Sequence, residues 1–290
     1  MNKTETSPEN RYTDYDPWAW LYNKSEADLA SKRLLPTLEK LLLQHLSSGA
    51  AIFDLCCGTG QVSKELVAKG YKIVGLDGSE KMLDYARQKL PDIEFVLGDA
   101  RQFELSYKFD AVICTDTSLN HIMSLADMKS VFSNVYKVLK ENGLFFFDLG
   151  LEKRYSNIFV NDGEIQSNYA WSVGETYNQE EKLGTFTITM FKPSNDKSNN
   201  KFNPINVLIK PLKRIIYNKI LRRTKPSALL QFVEKNWQAS EMTFSVKPYS
   251  IKEIQSVLQE VGFSSISIHN RNGELADKDE DKFAYFVARK

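Results

Sequence analysis

The sequence predicts an α/β fold: a parallel sheet with helices on both faces, closed by an antiparallel pair of strands and interrupted by a β-rich insertion after the fifth strand. Three observations predict it. From Ala51 onward, short apolar runs alternate with amphipathic helical patterns, as in βαβ units. The alternation stops near residue 150 and resumes at Ser250. The last two apolar runs, Ser265 to His269 and Phe283 to Ala288, are joined only by a loop and should pair antiparallel.

In chain order, Ala50 to Leu55 reads as a buried strand and Gln61 to Lys69 as a helix presenting Val62, Leu66 and Val67. Lys72 to Leu76 is the second strand. Ser79 then caps a helix whose apolar face carries Met82, Leu83, Ala86 and Leu90, and Pro91 stops it. Glu94 to Leu97 and Phe109 to Cys114 are the third and fourth strands. Leu125, Met128, Phe132, Val135 and Leu139 recur at helical spacing before Asn142-Gly143, and Leu144 to Asp148 is the fifth strand. Beyond it, Tyr169 to Tyr177 and Thr185 to Phe191 form a hairpin around the polar turn Asn178 to Gly184, and a further strand lies around Trp237 to Val246. Ile251, Ile254, Leu258 and Val261 mark a final helix ended by Gly262.

A chain of 290 residues, 42% hydrophobic, can bury one sizeable core and carry an inserted subdomain. No stretch approaches the roughly 20 continuous apolar residues of a membrane span, and Met1 to Asn10 lacks an apolar signal core. A cytoplasmic, non-transmembrane protein is expected. Cys56, Cys57 and Cys114 are too few and too clustered for a disulfide framework and lack the spacing of a zinc site, so they are expected reduced and packed, with no metal. The net charge of +1 gives no strong nucleic-acid signal. Charge is nevertheless uneven. Between Lys192 and Pro226 ten basic residues stand against one acid, Asp196, interleaved with Ile205, Val207, Leu208, Ile209, Leu212, Ile215, Ile216 and Ile220. An amphipathic lid or docking helix for an anionic or carrier-bound acceptor, or for a membrane surface, is one reading; a solvated face is the other.

The chemistry concentrates at strand ends. Phe53-Asp54-Leu55-Cys56-Cys57-Gly58-Thr59-Gly60 closes the first strand, where glycines let the backbone approach a ligand and the next helix offers free N–H donors. Asp77 ends the second strand, placed to accept both hydroxyls of a ribose. Gly98-Asp99-Ala100 follows the third and brings a second carboxylate within reach of an adenine amino group. A dinucleotide fingerprint would need a third glycine at position 63, which is Ser63.

Together these motifs resemble those of the class I S-adenosylmethionine (SAM)-dependent methyltransferases, over roughly Tyr15 to Leu149 and Tyr249 to Lys290. The resemblance implies a Rossmann-like seven-stranded methyltransferase sheet with an antiparallel terminal strand and an inserted antiparallel β subdomain. It implies SAM as cofactor and S-adenosylhomocysteine as product. The expected organisation is an N-terminal helical cap (1–36), a SAM-binding core (37–149), an inserted β-rich substrate or lid subdomain (150–248) carrying the basic segment 192–226, and a return to the core sheet (249–290). By position, Asp54, Cys56, Gly58 and Gly60 would cradle the amino-acid part of SAM. Asp77, with Gly78 and Met82 beside it, would hold the ribose; Asp99, Ala100 and Arg101 the adenine; and Cys114 and Thr115 would flank the same site. Cys56 stands where the family usually has glycine.

Tyr15-Asp16-Pro17-Trp18-Ala19-Trp20-Leu21-Tyr22-Asn23 is similar to the cap of glycine N-methyltransferases and aminosugar N,N-dimethyltransferases, which implies that Tyr15 and Tyr22 reach the cofactor, Tyr22 as a lid over the sulfonium. A core aromatic anchoring an N-terminal helix fits Tyr22 as well. Thr117-Ser118-Leu119-Asn120-His121 resembles the stretch after strand four in small-molecule methyltransferases. His121 is the candidate base, since imidazole titrates near neutrality, although a structural histidine fits it equally. Asp116 and Ser118 are candidate substrate contacts. Tyr169, Trp171 and Trp237 either line an acceptor pocket or form the core of the inserted sheet. The expected reaction is in-line methyl transfer to a small-molecule amine, with O-methylation of a hydroxyl or carboxylate next. RNA or protein methylation, or SAM binding without catalysis, are further alternatives; Cys114-Thr115-Asp116-Thr117 lacks the Asn-Pro-Pro-Tyr type signature of macromolecular amine methylation.

Overall fold

The computed structural model describes residues 15–25, 27–156, 161–166, 168–193, 237–276 and 281–290. Two helices, α1 (Ala19–Ser25) and α2 (Ala27–Leu41), open the chain. The alternation follows: β1 (Ala51–Leu55), α3 (Gln61–Ala68), β2 (Lys72–Asp77), α4 (Glu80–Lys89), β3 (Glu94–Leu97), β4 (Phe109–Cys114), α5 (Leu125–Val138) and β5 (Leu139–Gly150). Next come α6 (Glu152–Tyr155), β6 (Asn161–Ile165), β7 (Ala170–Asn178), β8 (Leu183–Pro193) and β9 (Trp237–Val246), then α7 (Ile251–Val261), β10 (Ser265–His269) and β11 (Phe283–Arg289). The basic segment from residue 194 onward, with its apolar interleaving, lies outside the described residues. Among the described residues no helix is long and apolar enough to cross a membrane.

The chain divides into two compact units, one running to Arg154 and resuming at Val246, the other spanning Tyr155–Ser245. The first holds a seven-stranded sheet ordered β10-β11-β5-β4-β1-β2-β3. β1 to β5 are mutually parallel, while β11 runs antiparallel to both β5 and β10. The chain leaves β1 toward β2 and β3, then returns to the other side of β1 for β4 and β5. In an open α/β sheet such a reversal opens a crevice at the carboxyl ends of the strands, where ligands bind.

Burial follows from two covered faces. One face of the sheet packs Val131, Phe132 and Val135 of α5 and Ile254 and Leu258 of α7 against Phe145, Phe147 and Phe286. The other packs Leu34, Leu38 and Leu41 of α2 and Leu66 of α3 against Ile52, Ile113 and Phe146. Strand β5 therefore tolerates three consecutive buried phenylalanines, because a strand sandwiched between helices has no solvent face. Helix starts are fixed locally. The Ser79 and Ser124 hydroxyls accept N–H bonds from Met82 and Asp127, and Ser250 with Glu253 forms a capping box ahead of α7.

The second unit is a four-stranded sheet, β6-β7-β8-β9. The expected hairpin is β7 and β8, paired antiparallel from Ala170↔Phe191 to Asn178↔Leu183; β7 is shifted one residue toward the turn from its predicted bounds, and β8 extends two residues beyond its own at each end. β6 was not expected: its sequence Asn-Asp-Gly-Glu-Ile carries no apolar alternation, and it pairs because Gly163 lets the Trp171–Ser172 backbone approach where a Cβ would lie 2.5 Å from the Trp171 carbonyl.

Candidate functional site

After β1 the chain turns through Cys56, Gly58 and Gly60 at φ of 60°, 54° and 74°, all left-handed. Glycine adopts this region freely; at Cys56 it costs about 1 kcal/mol. Cys56 thus holds a left-handed backbone that a glycine would adopt at less cost. The loop is pinned from beneath, with Cys57 N–H donating to the Leu76 carbonyl at 3.0 Å and Gly60 N–H to the Cys57 carbonyl at 3.0 Å. Gly75 is needed there, because a Cβ would stand 2.6 Å from the Phe95 ring and 2.9 Å from Cys57 Sγ. Behind the loop, Asp54 is 1% exposed and accepts a 2.6 Å bond from Ser63 Oγ through one oxygen, while Oδ1 has no hydrogen-bond partner among the described residues. Burial pushes its carboxyl up to about 7. The serine that breaks the dinucleotide fingerprint is therefore the partner of Asp54.

Asp77 joins two strand ends. Its Oδ2 accepts the Gly58 N–H at 2.8 Å and its Oδ1 the Ser79 N–H at 2.9 Å. Burial raises its carboxyl, and those backbone donors oppose the rise. Each oxygen keeps a second lone pair for an incoming hydroxyl. Gly78 lies between these two anchors, whereas Met82 is buried in the first turn of α4. At the end of β3, Asp99 is held by Arg101, with Nε 3.0 Å from each carboxylate oxygen and Nη2 2.5 Å from Oδ2. The Ala100 side chain is buried in the core. An adenine amino group would have to share Asp99 with this guanidinium, a constraint the motif alone does not show.

Past β4, Cys114 and Thr115 are buried and Asp116 and Thr117 both turn left-handed, at φ 59° and 58°. Asp116 keeps solvent access and accepts a 3.1 Å hydrogen bond from Tyr22 Oη; surrounding protein raises its carboxyl, opposed by that hydroxyl and by Arg33. Ser118 Oγ donates to the Thr115 carbonyl at 2.8 Å. His121 meets Tyr15 Oη at 3.0 Å. The Tyr22 ring also lies by the glycine loop, 3.7 Å from where a Gly58 Cβ would be, so this side chain spans the ends of β1 and β4. Asp16 anchors the same segment to α4, accepting from Ser79 Oγ at 2.5 Å and Lys81 N–H at 3.3 Å. Lys89 Nζ adds bonds to the Thr59 carbonyl at 2.7 Å and to Asn23 Oδ1.

Two contributors receive no role from the sequence motifs, Asn120 within the stretch Thr117 to His121 and Asp148 at the end of the fifth apolar run. Asn120, fully buried, bonds to the Gly150 N–H and carbonyl and to the Lys247 carbonyl, and so ties the turn after β4 to the end of β5. Asp148, 4% exposed in β5, accepts the Thr117 N–H at 3.1 Å. Its signal was an acid inside the run Phe145-Phe146-Phe147-Asp148-Leu149. Tyr169, Trp171 and Trp237 belong to the second unit, where Trp237 packs on Ala170 and Phe191 and the buried Trp171 Nε1 has no hydrogen-bond partner among the described residues.

At or just beyond its carboxyl end, each of the five parallel strands carries an aspartate: Asp54, Asp77, Asp99, Asp116 and Asp148. Such an edge favours a ligand with positive charge, hydroxyls and an amino group. S-adenosylmethionine, with its sulfonium, ammonium and ribose diol, fits this set, and the unpartnered buried Asp54 Oδ1 and Thr59 Oγ1 lie at the glycine loop.

Comparison with known proteins agrees. Residues 52–143 match the methyltransferase domain family. A putative methyltransferase of Geobacillus sp. (strain WCH70) is 32% identical over 169 residues, 54% of this chain and 68% of that protein. A Streptomyces fradiae dTDP-3-amino-3,6-dideoxy-alpha-D-glucopyranose N,N-dimethyltransferase is 33% identical over 107 residues, 37% of this chain but only 38% of that enzyme. The crystal structure of an S-adenosylmethionine-dependent methyltransferase from Clostridium acetobutylicum shares the fold, with a TM-score of 0.68 at 17% identity, covering 95% of this chain and 98% of that one. The protein belongs to the class I S-adenosylmethionine-dependent methyltransferases.

Proposed function

We propose that the enzyme methylates the amino nitrogen of a small-molecule acceptor. The observation that carries this reading is the acidic edge, above all Asp116, a solvent-reachable carboxylate held by Tyr22 beside the glycine loop. The N,N-dimethyltransferase activity of the Streptomyces fradiae relative supports it. In this reading the loop Cys56–Gly60 cradles the amino-acid part of the cofactor, Asp77 takes the ribose hydroxyls, and Asp99 with Arg101 borders the adenine. Bound there, S-adenosylmethionine supplies an electrophilic methyl group on a sulfonium with a neutral thioether as leaving group. The chain's own work is then mostly positional. Tyr22 closes over the loop and excludes water, Asp116 orients the acceptor's N–H groups, and His121, aligned by Tyr15, is a second group able to take a proton.

Two measurements test this. Asp77→Ala should weaken S-adenosylhomocysteine binding about 10- to 100-fold by calorimetry, the scale of losing hydrogen bonds to a charged group; unchanged affinity would place the ribose elsewhere. Methyl-labelled cofactor offered with panels of amines, phenols and carboxylic acids should label amines. Label confined to phenols or acids would overturn the amine reading and leave the cofactor site intact.

A further inference from the structure

Asp148 is a buried acid without an assigned task. A carboxyl inside a strand flanked by fully buried Phe147 and Leu149 costs free energy that an apolar residue would not. One oxygen is used: Oδ2 accepts the Thr117 N–H at 3.1 Å. The other, Oδ1, is buried and has no hydrogen-bond partner among the described residues. Directly in front stand Asp116 and Thr117, two consecutive non-glycine residues in the left-handed region, each costing about 1–2 kcal/mol unless the surroundings hold it. That turn aims Asp116 at Tyr22.

We propose that Asp148 is a positioning residue for the acceptor site, holding the Asp116–Thr117 turn from behind and leaving Asp116 as the single carboxylate that meets an incoming ammonium. The second half rests on the amine reading above. Two neighbouring carboxyls in one site do not ionise together easily, and the more buried one keeps its proton. Burial, and then the charge of Asp116, push Asp148 up to about 8. Other groups bearing on the pair are Tyr22 from α1 and Arg33 from α2, which act on Asp116, and, beside Asp148, the buried Cys114 thiol of β4 and Tyr285 of β11, opposite Asp148 in the sheet, which Arg271 influences in turn. With Asp148 neutral, an acceptor arriving as an ammonium breaks one N–H bond and forms an O–H bond on Asp116, which frees the nitrogen lone pair.

Carbon-13 NMR of protein labelled at aspartate Cγ, saturated with S-adenosylhomocysteine, reads both carboxyls without any acceptor. Asp148 should titrate well above Asp116, and Asp116→Asn should lower the Asp148 midpoint by about one pH unit, the scale of coupled carboxyls. Asp148→Asn, whose amide oxygen can still accept the Thr117 N–H, should leave the Thr117 amide resonance in place, whereas Asp148→Ala should displace it. An Asp148 midpoint in the ordinary carboxylate range, or one unmoved by Asp116→Asn, would overturn the proposal, as would an undisturbed Thr117 amide in Asp148→Ala. Ethylammonium chloride should shift the Asp116 carbon and ethanol should not. Intact coupling with no ammonium response would overturn the amine reading alone and leave the positioning role standing.

Discussion

Asp148 also links the site to stability. Its folded value of about 8 lies above the ordinary 3.8, so the stability it confers while protonated is lost as pH rises through about 8. Asp148→Asn removes that loss. Its stability in chemical denaturation should gain on the wild type between about pH 5 and pH 8.5, by more than about 1 kcal/mol at the upper end, since a tenfold change in proton affinity between folded and unfolded chains is worth about 1.4 kcal/mol. Parallel pH profiles for the two proteins would show that the carboxyl ionises in the fold without penalty. Legibility at this scale tracked chain proximity. Asp54, Asp77 and Asp99 were readable because each sits in a motif beside its strand. The Arg101 clamp on Asp99 and the Ser63 bond to Asp54 were not, because short-range spacing does not say which way a side chain turns.

Among the elements, those with a strong period were the readable ones. The apolar runs of β1, β2 and β4 and the helical spacing of α5 and α7 appear within a residue or two of their predicted bounds. β5 is longer than its apolar core, because Leu139 pairs with Phe109 before an irregularity in register. Two substitutions weigh these devices. Phe147→Ala should cost about 3–5 kcal/mol in chemical denaturation, since the ring stacks on Phe286 at 4.7 Å in a fully buried layer. Ser250→Ala should cost about 1 kcal/mol, because it removes one half of the capping box that starts α7. A loss at Ser250 as large as that at Phe147 would mean that the cap anchors more than its own helix.

At the scale of the molecule, parallel topology gathers aspartates from residues 54 to 148 along one edge; the strand-end motifs bring Asp54, Asp77 and Asp99 there, and the order of strands adds Asp116 and Asp148. The two units also predict a separable function. Replacing residues 155–245 by a short glycine-serine linker should leave S-adenosylhomocysteine binding measurable by calorimetry, because the loop, Asp77 and Asp99 all lie in the first unit, with both junctions anchored there through the Leu151–Lys282 and Lys247–Asn120 bonds. Loss of binding would assign the second unit a part in the cofactor site. One detail reaches further. Asp16 and Asp77 grip the start of α4 through the same residue, Asp16 through the Ser79 hydroxyl and Asp77 through the Ser79 amide. What steadies Asp77 therefore steadies the amino-terminal segment, and the reverse holds by reciprocity. Cofactor release and the lifting of residues 15–25 should then be coupled, so the release rate of S-adenosylhomocysteine, followed by stopped flow, should fall as the solvent is made more viscous.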